Sequence, residues 1–266
     1  MKQKFCIRWI AVLIGLAVLC FSGAATAADV NVMVSTGFYE IYKELTPAFE
    51  SASGHHLVTT RGPSMGDSPE AIPARMKRGE PVDVVIIIGA TIDELGRQGL
   101  VSPGSKVDLA RSQIGMVVRA GAAKPDIGSV EAFRRALLEA KSIAYSDSAS
   151  GIYLSTTLFQ RLGVADQVTG KSRKIKGPPS GEPVAAVVAR GEAEIGFQQM
   201  SELLHVPGVT IVGPIPAELQ EETFFSAAVA SAARQPEAAR ALIRFLASPQ
   251  AAPTISKGGL APLSKQ

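Results

Sequence analysis

Residues 30–37, Val30-Asn31-Val32-Met33-Val34-Ser35-Thr36-Gly37, decide the fold: a short apolar strand runs into a hydroxyl-rich turn, and a helix pattern starts directly behind it. Phe38, Ile41, Tyr42, Leu45 and Phe49 recur at helical spacing, while Tyr39, Glu40, Lys43, Glu44 and Glu50 fill the opposite face. One stripe is core and the other solvated. Pro47 inside this run predicts a kink or a restart.

Working outward, the same order of strand, turn and helix returns. Residues 57–60 read as a second strand and Val84-Val85-Ile86-Ile87-Ile88 as a third, apolar on both faces, as in parallel sheets covered by helices on both sides. Residues 91–94 have capping-box spacing and predict a short helix ending near Gly99. A second series starts at 114–119. It continues with a helix over 130–140 capped by Ser129, a strand over 142–145, and Ser146-Asp147-Ser148-Ala149-Ser150-Gly151 opening another helix. Pro183 begins a helix, 193–197 form a strand ending in Gln198-Gln199, 209–212 another strand, and 223–230 an extended crossing. Ala239, Leu242, Ile243 and Leu246 make the stripe of a helix over 236–246, and a last helix follows Pro249. Such alternation specifies an α/β fold with parallel sheets.

Upstream of the first strand, Lys2, Lys4 and Arg8, an apolar run over 10–21 and Ala25-Thr26-Ala27 have the form of a cleaved export signal occupying residues 1–27. The run is shorter than the roughly 20 residues of a spanning helix. Leu19 stands before Cys20 where a lipoprotein signal has a small residue. Cleavage takes three of the 27 basic residues, both cysteines and the only Trp, leaving 24 basic beside 24 acidic residues. That balance argues against nucleic acid or an anionic membrane as partner, and against disulfides or thiolate metal sites. Three histidines, two of them the adjacent His55 and His56, make a metal site unexpected.

The loops at 35–37, 62–66, 146–151 and 198–199 are built from Ser, Thr, Gly and Gln, and each follows a predicted strand. Ligands of open α/β sheets collect at such strand ends, where helix N-termini present free N–H groups. Any one loop could be an ordinary helix cap; four of them, split between two series, point to a neutral anion site. Gly62-Pro63-Ser64-Met65-Gly66 also fits the G-x-S-x-G elbow of serine hydrolases. His205 is the one histidine downstream of it, and no HGGG-type loop precedes it. Arg61 at a strand end has the fork that grips a carboxylate. Lys171, Arg173, Lys174 and Lys176 read as a solvated basic loop.

Ser35-Thr36-Gly37 opening a long helix, the Ser64 loop, Ser150-Gly151-Ile152-Tyr153, Ile195-Gly196-Phe197-Gln198-Gln199 and the closing Ala239-x-x-Leu-Ile-x-Phe-Leu-x-Ser-Pro-Gln-Ala-Ala together resemble the periplasmic molybdate-binding proteins, a branch of the type II solute-binding proteins. The resemblance implies a two-lobed α/β fold with two parallel-rich sheets and two hinge crossovers, near 110–119 and 222–228. Lobe 1 would span 28–115 and 224–266, and lobe 2 116–223. It implies a monomer in the periplasm that performs no chemistry, carries no cofactor or metal, holds a small anion in the cleft and delivers it to an inner-membrane ABC permease. The family's anion contacts carry over onto Ser35, Thr36, Ser64, Ala149, Ser150 and the helix start at Pro183. Gln199 stands where the family has a Tyr, and Arg61 adds a charge. Those two departures admit a small organic carboxylate beside molybdate or tungstate. A secreted hydrolase using Ser64 and a ligand-sensing module are the alternatives.

Overall fold

The computed structural model describes residues 27–66 and 68–263; the expected export signal up to residue 26 lies outside them. Strand β1 (Asp29–Ser35) leads into α1 (Thr36–Ser53), followed by β2 (His56–Gly62), α2 (Ile72–Lys77), β3 (Val84–Ile88), α3 (Gly89–Arg97) and β4 (Val107–Ser112). The chain then enters β5 (Ile114–Arg119), α4 (Val130–Glu139) and β6 (Ile143–Ser146). Next comes α5 (Ala149–Tyr153), which runs on through a π turn at Leu154–Leu158. β7 (Ser172–Ile175), α6 (Val184–Ala189), β8 (Ile195–Gln199), α7 (Met200–Leu203) and β9 (Val209–Pro214) follow. β10 (Thr223–Val229), α8 (Pro236–Leu246), α9 (Ala252–Lys257) and β11 (Ala261–Pro262) close the described chain.

These strands form two sheets, ordered β11-β4-β10-β3-β1-β2 and β7-β6-β8-β5-β9. Each is parallel on one side, where β2, β1 and β3 or β7, β6 and β8 run together, and antiparallel on the other. The antiparallel strands are the ones adjoining the passages between sheets. β4 passes to β5 across Gln113 alone, and β9 returns to β10 through 215–222. Gln220 joins the two passages: its carboxamide accepts from Ile114 N and donates to Ile114 O, both at 2.9 Å.

The doubly apolar β3 has a direct cause. Val84, Ile86 and Ile88 pack with Val30, Val32, Val34, α1 and α8 on one face, while Val85 and Ile87 pack with Met33, α2 and α3 on the other. In the second sheet Ile195 and Phe197 meet Phe133 of α4, and Gly196 faces α6 so closely that a Cβ would lie 2.7 Å from Val188 Cγ2. Asp83, only 1% exposed, ties the far end of the first sheet. Its Oδ2 accepts from Asn31 N (2.7 Å) and Nδ2 (3.2 Å), and its Oδ1 from Arg234 N (2.6 Å) and Gln235 N (2.9 Å) at the approach to α8.

Two local expectations are corrected. Helix α1 continues past Pro47, because Pro47 and Lys43, whose carbonyl loses its partner, both lie on the exposed face while Leu45 and Phe49 hold the buried one. The capping box does not form: β3 runs directly into α3, so the helix starts at Gly89 and Thr91 lies within its first turn. Three strands went unread: β4, the two-residue β11, and the basic edge strand β7, which holds Arg173 and Lys174 of the supposed basic loop.

Candidate functional site

At the ends of β1, β3, β6 and β8, hydroxyls and amides from both sheets face each other across one narrow cavity of about 20 Å³. Ser35 ends β1 and caps α1, its Oγ accepting from Gly37 N at 3.4 Å. Ser64, 1% exposed, donates to Ser35 Oγ at 2.8 Å and accepts from Ile88 N at 3.3 Å. Across the cavity Ser146 ends β6, accepts from Gly151 N at 3.2 Å, and lies 3.0 Å from Ser150 Oγ. Gln199 ends β8; its Oε1 accepts from the Ser112 hydroxyl at 2.5 Å, and its buried Nε2 has no partner among the described residues. The two sides also touch directly, through Ser201 Oγ donating to Gly37 O (2.6 Å) and Thr36 Oγ1 donating to Pro178 O (3.4 Å).

Following the protons gives the site its polarity. Ile88 N–H feeds Ser64 and Ser64 feeds Ser35, which also accepts from Gly37, so the Ser35 proton is the one left for a guest. Gly151 N–H likewise feeds the Ser146–Ser150 pair. With the free Gln199 amide, the lining offers donors polarised by the main chain behind them, which is the chemistry of an anion site.

Ser35, Thr36, Ser64, Ala149, Ser150 and Gln199 line this cavity together. Arg61 and Pro183 are not among its lining residues. The Arg61 guanidinium lies over the Tyr39 ring at 4.5 Å. Pro183 caps α6, and the first free N–H there, on Val184, donates to Gln198 Oε1 at 3.1 Å instead of to the cavity. The basic cluster divides: Lys171 donates to the carbonyls of Leu138 and Ala140, and Arg173 pairs with Glu192 at 3.1 Å. Lys174 and Lys176 line an adjoining open chamber that shares Pro63 and Asp147 with the main cavity. Among the described residues no histidine lines the cavity around Ser64 to serve as a base of the hydrolase kind.

Two carboxyls on the wall were missed in the sequence, Asp147 and Glu202. Asp147 Oδ1 accepts from Gly177 N at 3.0 Å, and Glu202 Oε1 accepts from Gln198 Nε2 at 2.8 Å. Burial pushes the Glu202 carboxyl up to about 7, with Asp147 adding to the rise, against the Arg61 guanidinium and the Gln198 bond, which favour the ionised form. In the unfolded chain the group ionises near 4.5. Folding therefore takes up a proton between about pH 4.5 and 7, and this residue costs stability increasingly as pH rises through that window. Glu202→Gln removes the cost: its urea midpoint is expected above wild type at pH 8 and equal to it at pH 4.

The arrangement of two sheets, two passages and a donor-lined cavity between them agrees with a match over residues 30–261 to the model described as bacterial extracellular solute-binding protein. The chain belongs to that family. Within it, the chain is 48% identical over 243 residues, 91% of each chain, to an aconitate isomerase of Pseudomonas sp. It is 28% identical to the molybdate-binding protein ModA of Azotobacter vinelandii, over 89% of this chain and 91% of that one. The solved Azotobacter vinelandii periplasmic molybdate-binding protein superposes with a TM-score of 0.69 at 22% identity, over 87% of this chain and 98% of that one, a likeness of fold.

Proposed function

We propose that this chain binds a small organic tricarboxylate of the aconitate class between its two sheets and interconverts the cis and trans forms. The observation that carries the reading is a single cavity whose wall combines proton-donating hydroxyls and an amide with one carboxyl that titrates near neutrality. A tetrahedral metal oxyanion needs the donors and has no use for the carboxyl; an alkene tricarboxylate uses both. The 48% identical isomerase supplies the substrate class. Lys174 and Lys176 in the adjoining chamber suit the carboxylates the hydroxyls do not hold.

On this reading the lobes are the halves built on the two sheets, closing on the guest by a swing about the passages at Gln113 and 215–222. The export signal read in residues 1–27 and the solute-binding family support a periplasmic location. A second reading, favoured by the solute-binding family itself, is a receptor that captures the same anion for a membrane permease.

Incubation with trans-aconitate, followed by proton NMR, is expected to yield cis-aconitate until an equilibrium mixture stands. Calorimetric binding of the tricarboxylate without turnover supports the receptor; binding of molybdate with none of either aconitate isomer overturns both.

A further inference from the structure

Glu202 is placed on the cavity wall by a fixed chain of contacts. Val184 N–H donates to Gln198 Oε1 (3.1 Å), which settles the orientation of that amide and turns its NH2 toward Glu202 Oε1 (2.8 Å). The bond occupies one carboxyl oxygen; the other has no hydrogen-bond partner among the described residues. The groups acting on it come from three directions: Gln198 on β8, Arg61 on β2 and Asp147 after β6. Its neighbour on the same wall, Asp147, has Oδ1 engaged by Gly177 N.

Resting on the isomerase reading above, we propose that Glu202 is the catalytic acid–base group that carries one proton between the two outer carbons of the substrate's allylic unit. Its carboxylate removes a proton from the methylene carbon, and the pair left behind forms a new double bond to the central carbon. The electrons of the old double bond shift to the far carbon, which receives the proton back from the Glu202 carboxylic acid. Atoms and electrons balance with no co-reactant. The new double bond was a single bond before the step, so it freezes whichever rotamer it held, and cis and trans forms interconvert without twisting a π bond. The Ser35, Ser150 and Gln199 donors hold a substrate carboxylate and stabilise the charge that spreads onto it. A carboxyl titrating near neutrality serves both halves of such a transfer.

The test compares wild type, Glu202→Gln and Glu202→Asp, with trans-aconitate turnover followed by NMR and trans-aconitate affinity by calorimetry. Glu202→Gln is expected to bind within about threefold of wild type and to isomerise at least 100-fold more slowly, as loss of a general acid–base group implies. Glu202→Asp, which keeps the carboxyl, is expected to recover part of the rate. Wild-type turnover should also show a pH limb near neutrality that Glu202→Gln lacks. A glutamine variant that isomerises at the wild-type rate overturns the proposal. So does one that loses binding along with turnover, since Glu202 is then a ligand contact. If wild type itself binds tricarboxylate without isomerising it, the isomerase reading fails, an outcome distinct from a failure confined to the variants.

Discussion

Replacing Asp83 with alanine is expected to lower the unfolding free energy by about 3–5 kcal/mol, a large share of the roughly 5–15 kcal/mol that holds a domain together. The carboxylate accepts from four N–H groups on two segments, and three of those are main-chain donors: Asn31, Arg234 and Gln235. At 1% exposure water replaces the missing oxygens poorly, so the donors face an unmet desolvation cost. Asparagine keeps the shape but turns one acceptor into a donor facing an N–H, and about half the loss is expected. Urea denaturation reads both. Ligand affinity of the folded fraction should not change, because Asp83 precedes β3 and the cavity lies beyond Ile88, roughly 16 Å along the strand. A stability change under 1 kcal/mol would show that the donors find other partners.

The second large effect is expected at Gly151. A Cβ there would lie 1.7 Å from Ser146 O and 2.6 Å from Ser146 C, main-chain atoms that move only if the whole turn moves. Gly151→Ala therefore displaces the segment carrying Ser146 and Ser150. The expected cost is about 2–3 kcal/mol in stability, from overpacking, and tricarboxylate affinity falling at least tenfold. Gly170→Ala, whose Cβ enters open space, is the control and should change neither. Unaltered affinity in Gly151→Ala would detach the Ser146–Ser150 turn from the site.

The strands that could be read in the sequence were those whose burial leaves a pattern. β3 is covered on both faces and is wholly apolar; α1 is covered on one and shows a stripe. Strand β7 carries Arg173 and Lys174 because it is a sheet edge, where charge discourages further pairing, and charge is what a loop shows too. β4 alternates only weakly, with Leu109 and Ala110 buried between polar residues.

The hydroxyls that line the cavity were legible for a similar reason: Ser35 ends a strand, and Ser64 and Ser150 follow one, positions that sequence can locate. Glu202 was not, since a glutamate in a short helix looks solvated. Gln198, which holds it, lies near the end of a strand while Glu202 sits on the helix behind it, so no single periodicity links the two. Arg61 was credited with a ligand because its strand end is near the site, but the aromatic face of Tyr39, distant in any sequence reading, takes its guanidinium.

The Gln220 carboxamide has a mechanical consequence. By answering both main-chain groups of Ile114, it stitches the two chain passages into a single strap. Bending one passage while its neighbour stays at rest would break these two hydrogen bonds, so they favour the two passages flexing together.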